Sequence, residues 1–325
     1  MKNIFVIALS IIIVIGCKKI AEGFLSDQIR YKDNVIYCKR GLILVQSDKI
    51  EADGSTPPYN FKMMNFRDKA TGAAAPAEFN TEYDVLVFKD GMSFNIDTDT
   101  SVALLNEKRE LKKLKPMYFN ELSGQLTFNK ASGNLPIGEY LFDMQMSNVR
   151  GTKTFPSIAQ VNVLDPSGED LFTIEDNVAN AFSDATGSVT AMRNPRLTCT
   201  KQSSNGARVI LKFSDKNGVP FNPKAGEIIK RGDRPIFENY AKFNPVIVTD
   251  TAMICDFEVA PFPLSRYINN GTDWNHLIYY RIPSAFVNVD GFAAGKYSVN
   301  PRFAFVLKLE GTYIIEIKFM DAVKK

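Results

Sequence analysis

Apolar residues along most of this chain recur at every second position, so the pattern predicts strands almost throughout. In the stretch 139–146, Tyr140, Phe142, Met144 and Met146 share one face of an extended chain, which is the signature of a half-buried strand. A second strand follows over 158–164, and the polar connection 148–153 makes the two an antiparallel pair. Residues 208–213 alternate in the same way and stop at the turn Asp215-Lys-Asn-Gly218. Two further hairpins are predicted, YDVLVFKDGMSFNI over 83–96 around Asp90-Gly91 and FAFVLKLEGTYIIEIKF over 303–319 around Glu310-Gly311. Only 101–114 has helical spacing, with Asp99 or Thr100 as N-cap and Val102, Leu105 and Leu111 as its apolar stripe. Many short strands with Gly, Pro and Asn punctuation predict an all-β protein of stacked sheets rather than alternating β/α units. The polar cluster Asp165-Pro-Ser-Gly-Glu-Asp170 divides the chain into an N-terminal β-sandwich over 46–165 and a C-terminal one over 166–325.

The first residues obey a different rule. Lys2 precedes an apolar run from Ile4 to Ile15 broken only by Ser10, and these twelve residues would span roughly 18 Å as a helix, against roughly 30 Å of bilayer hydrocarbon. The run is therefore read as the core of a signal peptide over 1–16. Val14-Ile15-Gly16-Cys17 resembles a bacterial lipobox, in which the cysteine is lipidated and becomes the new N-terminus. Lys18 and Lys19, with no Asp directly after the cysteine, fit transit to the outer membrane. Residues 17–45 are then a lipidated tether and lead-in, of which about ten residues after Cys17 are expected to be flexible and 35–45 to pack on the first domain.

Composition narrows the function. A chain of 325 residues with 45% hydrophobic and 23% charged residues is that of a folded protein. The net charge of +3 lacks the basic footprint of a nucleic-acid binder. A single histidine, His276, excludes metal sites and relays needing two imidazoles, and no cofactor motif is present. Cys38, Cys199 and Cys255 read as small buried apolar residues, with a bridge between Cys199 and Cys255 left open.

Among candidate motifs, Asp97-Thr-Asp99 suggests calcium, but an EF-hand loop starting there would need Gly at 102 and Glu at 108, where Val102 and Lys108 stand. Arg231-Gly-Asp233 is the integrin tripeptide, read here as three common residues in a turn. No G-x-S-x-G elbow, H-E-x-x-H pair or Walker loop occurs, so no catalytic residue is assigned and the protein is expected not to be an enzyme. The segment 269–281 holds the only Trp and the only His. Its Trp274, Tyr279 and Tyr280 offer flat faces for the apolar side of a sugar ring, and Asp273 and Asn275 offer polar groups for its hydroxyls, so these five are the candidate ligand-binding residues. The competing reading makes Trp274 a plug in a sandwich core.

The lipobox, Asp53-Gly-Ser-Thr-Pro-Pro58, Leu135-Pro-Ile-Gly-Glu-Tyr140, Phe221-Asn-Pro-Lys224 and Pro261-Phe-Pro-Leu264 together resemble the Bacteroidetes lipoproteins of unknown function encoded near SusC/SusD-like uptake genes. The resemblance implies two immunoglobulin-like or jelly-roll-type β-sandwich domains in tandem, lipid attachment at Cys17, and an outer-membrane setting on the periplasmic face or cell surface. Joined with the aromatic segment 269–281, that setting makes the leading expectation a carbohydrate-binding accessory beside SusC/SusD-like proteins. A structural or adhesive protein that binds another protein is the alternative, and a hydrolase with paired carboxylates in a cleft a third.

Overall fold

A computed structural model describes residues 23–325 except Ile96, Asn205, Glu258 and Val259. The predicted signal peptide over 1–16 and Cys17 lie outside the described residues. The fold is all-β, in two compact units. One runs to Val85 and resumes over Lys112–Asp165, and the other joins Leu86–Leu111 to Pro166–Lys325.

Strands β1 (Val35–Lys39), β2 (Leu44–Gln46), β3 (Asn60–Asp68), β4 (Tyr83–Phe88), β5 (Arg109–Leu114), β6 (Met117–Phe119), β7 (Leu126–Asn129), β8 (Gly138–Asn148) and β9 (Gly151–Leu164) make up the first half of the chain. A four-stranded sheet, β1-β9-β8-β3, and a three-stranded sheet, β2-β7-β6, enclose one core. The predicted pair is present: β8 and β9 run antiparallel from Asn148↔Gly151 to Gly138↔Val163. Tyr140, Phe142, Met144 and Met146 are each at most 2% exposed, and burying a side chain of this size stabilises by about 1.5–3 kcal/mol. β1 lies parallel to β9, which buries Ile36 and Cys38, and the core starts earlier still, at Leu25, Ile29 and Tyr31.

The second half contains β10 (Phe172–Ser183), β11 (Val189–Ala191), β12 (Arg196–Ser203), β13 (Ala207–Ser214), β14 (Ile229–Lys230), β15 (Ile247–Val248), β16 (Met253–Asp256), β17 (Ile268–Asn269), β18 (Thr272–Asp273), β19 (Ile278–Arg281), β20 (Val287–Val289), β21 (Tyr297–Leu307), β22 (Gly311–Lys318) and β23 (Ala322–Lys324). Two five-stranded sheets, β11-β10-β21-β19-β14 and β12-β22-β13-β16-β15, share a core rich in Phe, Tyr and Ile.

Three expectations are corrected. The stretch 303–319 is not a hairpin, because β21 pairs with β10 and β19 while β22 pairs with β12 and β13 in the other sheet. The alternation correctly marks which side chains are buried, but either neighbour satisfies it. Gly311, at φ +150°, turns the corner, and a Cβ there would stand 2.5 Å from the Ser203 carbonyl oxygen. Residues 83–96 are not a hairpin either: the turn at Gly91 forms, but β4 pairs with β5. The segment after the turn is instead held by the buried Asp99 carboxylate, which accepts from the Asn95 amide at 2.7 Å and pairs with Lys108 at 2.7 Å. The predicted helix over 101–114 is only Val102–Glu107, capped by Ser101, whose Oγ accepts from Leu104 N at 3.2 Å. Asp99 is engaged elsewhere, and past Lys108 the charged alternation of Arg109–Leu114 leaves Leu111 exposed and suits a ribbon strand better than a second helical turn.

Candidate functional site

The segment 268–281 folds onto the outer face of the sheet β11-β10-β21-β19-β14. Asn270 (φ +50°) and Gly271 (φ +73°) are the two centre residues of the β17–β18 turn, as a type I′ hairpin requires. Asp273 fixes the exit from this hairpin. Its Oδ1 accepts from the Asn275 amide at 2.8 Å and its Oδ2 pairs with Arg266 at 2.5 Å. A bulge between Ile174 and Asp176 of β10 turns Glu175 towards this segment. Glu175 Oε2 accepts from Asn275 Nδ2 at 3.1 Å and lies 3.3 Å from His276 Nδ1.

β19 then alternates sharply. Ile278, Tyr280 and Ile282 enter the core, whereas Tyr279 lies opposite Arg302 on the outer face but is itself buried there, 6% exposed, so it supports Trp274 rather than offering a face to a ligand. Tyr280 is therefore withdrawn from the candidate ligand contacts. It is 2% exposed, its hydroxyl accepts from Phe237 N at 3.0 Å and donates to Glu238 at 2.8 Å, and burial followed by the Glu238 charge pushes its pKa well up. Asp273 and Asn275 hold the loop in shape, with their polar groups largely engaged by neighbours.

Trp274 is half-buried and belongs to neither hydrophobic core, so the plug reading fails. It meets Tyr279 edge-to-face, centroids 5.9 Å apart at 89°. The Arg234 guanidinium lies 4.7 Å from the Trp274 ring centre and 5.9 Å from that of Tyr279, and Arg231 lies 5.7 Å from Tyr279. Such contacts contribute about 0.5–2 kcal/mol each. Further along the face, Arg281 sits 4.0 Å from the Phe182 ring centre and donates Nε to Asn300 Oδ1 at 2.9 Å. Arg302 pairs with Asp176 at 2.6 Å. Burial, then the charges of Arg234, Arg281 and Arg302, push the Arg231 pKa down.

The four arginines were not legible as a group. Arg231 opens the tripeptide Arg231-Gly-Asp233 and Arg234 follows it; Gly232 (φ +59°) makes a turn closed by Arg234 N donating to Arg231 O at 3.2 Å. That turn carries both guanidiniums to aromatic rings some forty residues further along the chain, and only strand pairing adds Arg281 and Arg302.

Other candidate chemistry is absent among the described residues. No group of His, Cys, Asp and Glu there is placed to hold a metal ion. Cys38, Cys199 and Cys255 form no disulfide, and burial pushes the Cys38 and Cys199 thiols up to about 12, far from a nucleophile's range. On the outer face of the other sheet lies a groove of about 410 Å³ with Thr198, Thr200, Gln202 and Lys212 on its walls. Its one carboxylate, Glu316, accepts from Ser214 at 2.6 Å.

No family model matches the chain, and no curated protein matches it. Among solved structures, a SusE-like surface-located polysaccharide-binding protein from the heparin utilisation locus of Bacteroides thetaiotaomicron aligns at 8% identity, with a TM-score of 0.22, below the level of a shared fold. The alignment covers 90% of this chain and 53% of the other, so the chain spans about half the length of that protein.

Proposed function

We propose that this is a lipid-anchored envelope protein, attached to the outer membrane through Cys17, that binds glycan on its Trp274 face as an accessory to a SusC/SusD-like uptake system. The observation that carries the reading is the placement of Trp274. A large aromatic outside both cores, half-buried, braced edge-on by Tyr279 and met by Arg234 over its ring, leaves part of its apolar surface to solvent. A sugar ring stacks its C–H face on such a surface. Hydrolysis needs two carboxylates available across the scissile bond. On this face Asp176 is paired with Arg302, Asp273 with Arg266, and Glu175 is held by Asn275 and His276. Binding therefore fits better than cleavage.

The test is a broad glycan array probed with the intact protein in detergent and with Trp274→Ala, both checked by thermal melting. Specific binding lost in a folded variant supports the reading. No binding across the array overturns it and leaves a protein-binding, adhesive role. Metabolic labelling with a fatty-acid analogue, lost in Cys17→Ser, tests the anchor.

A further inference from the structure

We propose that the glycan is acidic: the Trp274 face takes a sulfated or uronic-acid polysaccharide, with its anionic groups held by Arg231, Arg234 and Arg281. This inference rests on the glycan reading above and specifies its substrate class. A neutral sugar presents hydroxyls, which need acceptors as much as donors, and sites for neutral sugars supply free carboxylates and amide oxygens. Here, apart from the exposed Asp233, the carboxylates are taken. Asp176 is occupied by Arg302, Asp273 by Arg266 and the Asn275 amide, and Glu175 by Asn275 with His276 beside it.

What remains is donors. Among the described residues, Arg231, Arg234 and Arg281 have no carboxylate within ion-pair distance, and Asp233, exposed in the turn between the first two, pairs with neither. The buried Asn300 is 0% exposed, and its Nδ2 has no acceptor while its Oδ1 takes Arg281. Nothing in the overall balance requires this, since the whole chain carries only +3. Four like charges gathered on one sheet face, of which Arg302 alone is paired with a carboxylate, are stabilised by a ligand that brings the missing anions.

The geometry suits that ligand. A guanidinium lying on an aromatic ring keeps its N–H groups in its own plane, free to grip a sulfate or carboxylate in a two-pronged fashion. Trp274, braced from beneath by the buried Tyr279, supplies apolar contact between those charges. An acidic polysaccharide repeats this alternation of apolar ring face and anion along its length.

The test titrates the intact protein in detergent, by calorimetry, with chondroitin sulfate, unsulfated chondroitin, polygalacturonate, neutral dextran and galactan, and a single-stranded oligonucleotide. Binding to the acidic glycans but not the neutral ones is expected, and the sulfated and unsulfated pair separates sulfate from carboxylate recognition. The double variant R231Q/R234Q should weaken acidic-glycan binding at least tenfold and flatten its salt dependence, whereas Trp274→Ala should weaken it at every salt concentration. Arg281→Gln, away from the Trp274 stack, should weaken it less. Neutral glycan bound as tightly, and lost in Trp274→Ala but not in R231Q/R234Q, overturns this inference while leaving the glycan reading intact. An oligonucleotide bound as tightly as the sugars overturns it in favour of general polyanion binding. No carbohydrate bound by a protein that melts cooperatively overturns both.

Discussion

Of the places where this protein sets arginine beside aspartate, two differ in what is left over. In the N-terminal sandwich, Asp143 sits on β8 between Phe142 and Met144 and is 8% exposed. It accepts from Asn65 Nδ2 at 2.7 Å, Ser157 N at 2.8 Å and Arg67 Nη1 at 3.0 Å, and Arg67 also donates to Ser157 Oγ and the Asn65 carbonyl. Asn65 (φ +51°) and Ser157 (φ +49°) adopt left-handed conformations where β3 and β9 bulge around this carboxylate. Every charge there is answered from within the chain. In the C-terminal sandwich, four arginines share one sheet face, and Asp176 answers only Arg302 among them. The first arrangement is closed and belongs to the fold. The second is open and belongs to a surface awaiting an anion.

The contrast can be broken most forcefully at Asp143. Asp143→Ala orphans three donors near the core, Arg67 among them, and should destabilise the N-terminal sandwich by about 3 kcal/mol, read as a fall in its denaturation midpoint. Burial alone would raise the Asp143 pKa, but the hydrogen bonds from Asn65, Ser157 and Arg67 outweigh it and hold the carboxyl below the usual range. The contribution is therefore fully present above the unfolded value of about 3.9 and is lost as pH falls through the lower folded value. Acid titration followed by circular dichroism should show this loss in the wild type, and Asp143→Asn should remove that part of the pH dependence.

At the open site the expected order reverses, with function moving before stability. R231Q/R234Q should lower acidic-glycan affinity at least tenfold, about 1.4 kcal/mol, with only a small change in melting temperature, because relief of like-charge repulsion offsets the lost ring contacts. A large fall in melting temperature would place the arginines with Asp143 as structural groups. Tyr280→Phe sharpens the boundary between site and core. Losing the hydroxyl's bonds to Phe237 N and Glu238 should cost about 1 kcal/mol of stability and leave affinity unchanged, since Tyr280 faces away from Tyr279. The smallest effect is expected for Lys212→Ala in the groove of the other sheet, where affinity should stay within twofold by the same calorimetry.

Period-two alternation by itself determined the all-β fold and the buried faces of β8, β13 and β22, because alternate side chains must leave opposite sides of an extended chain. It also marked 269–281 as the stretch richest in binding chemistry. It did not determine which strands pair, since one buried face suits several neighbours. That ambiguity is why 303–319 reads as a hairpin but divides between two sheets, and why β4 finds β5. Nor did it separate Tyr279 from Tyr280, which are alike in the sequence and differ only in the face they take on β19. Most of all, it gave no sign that Arg231, Arg234, Arg281 and Arg302 share one surface. Their proximity depends on a turn at Gly232 and on the pairing of β19 with β21, contacts between residues far apart in the chain, and only the tertiary structure decided them.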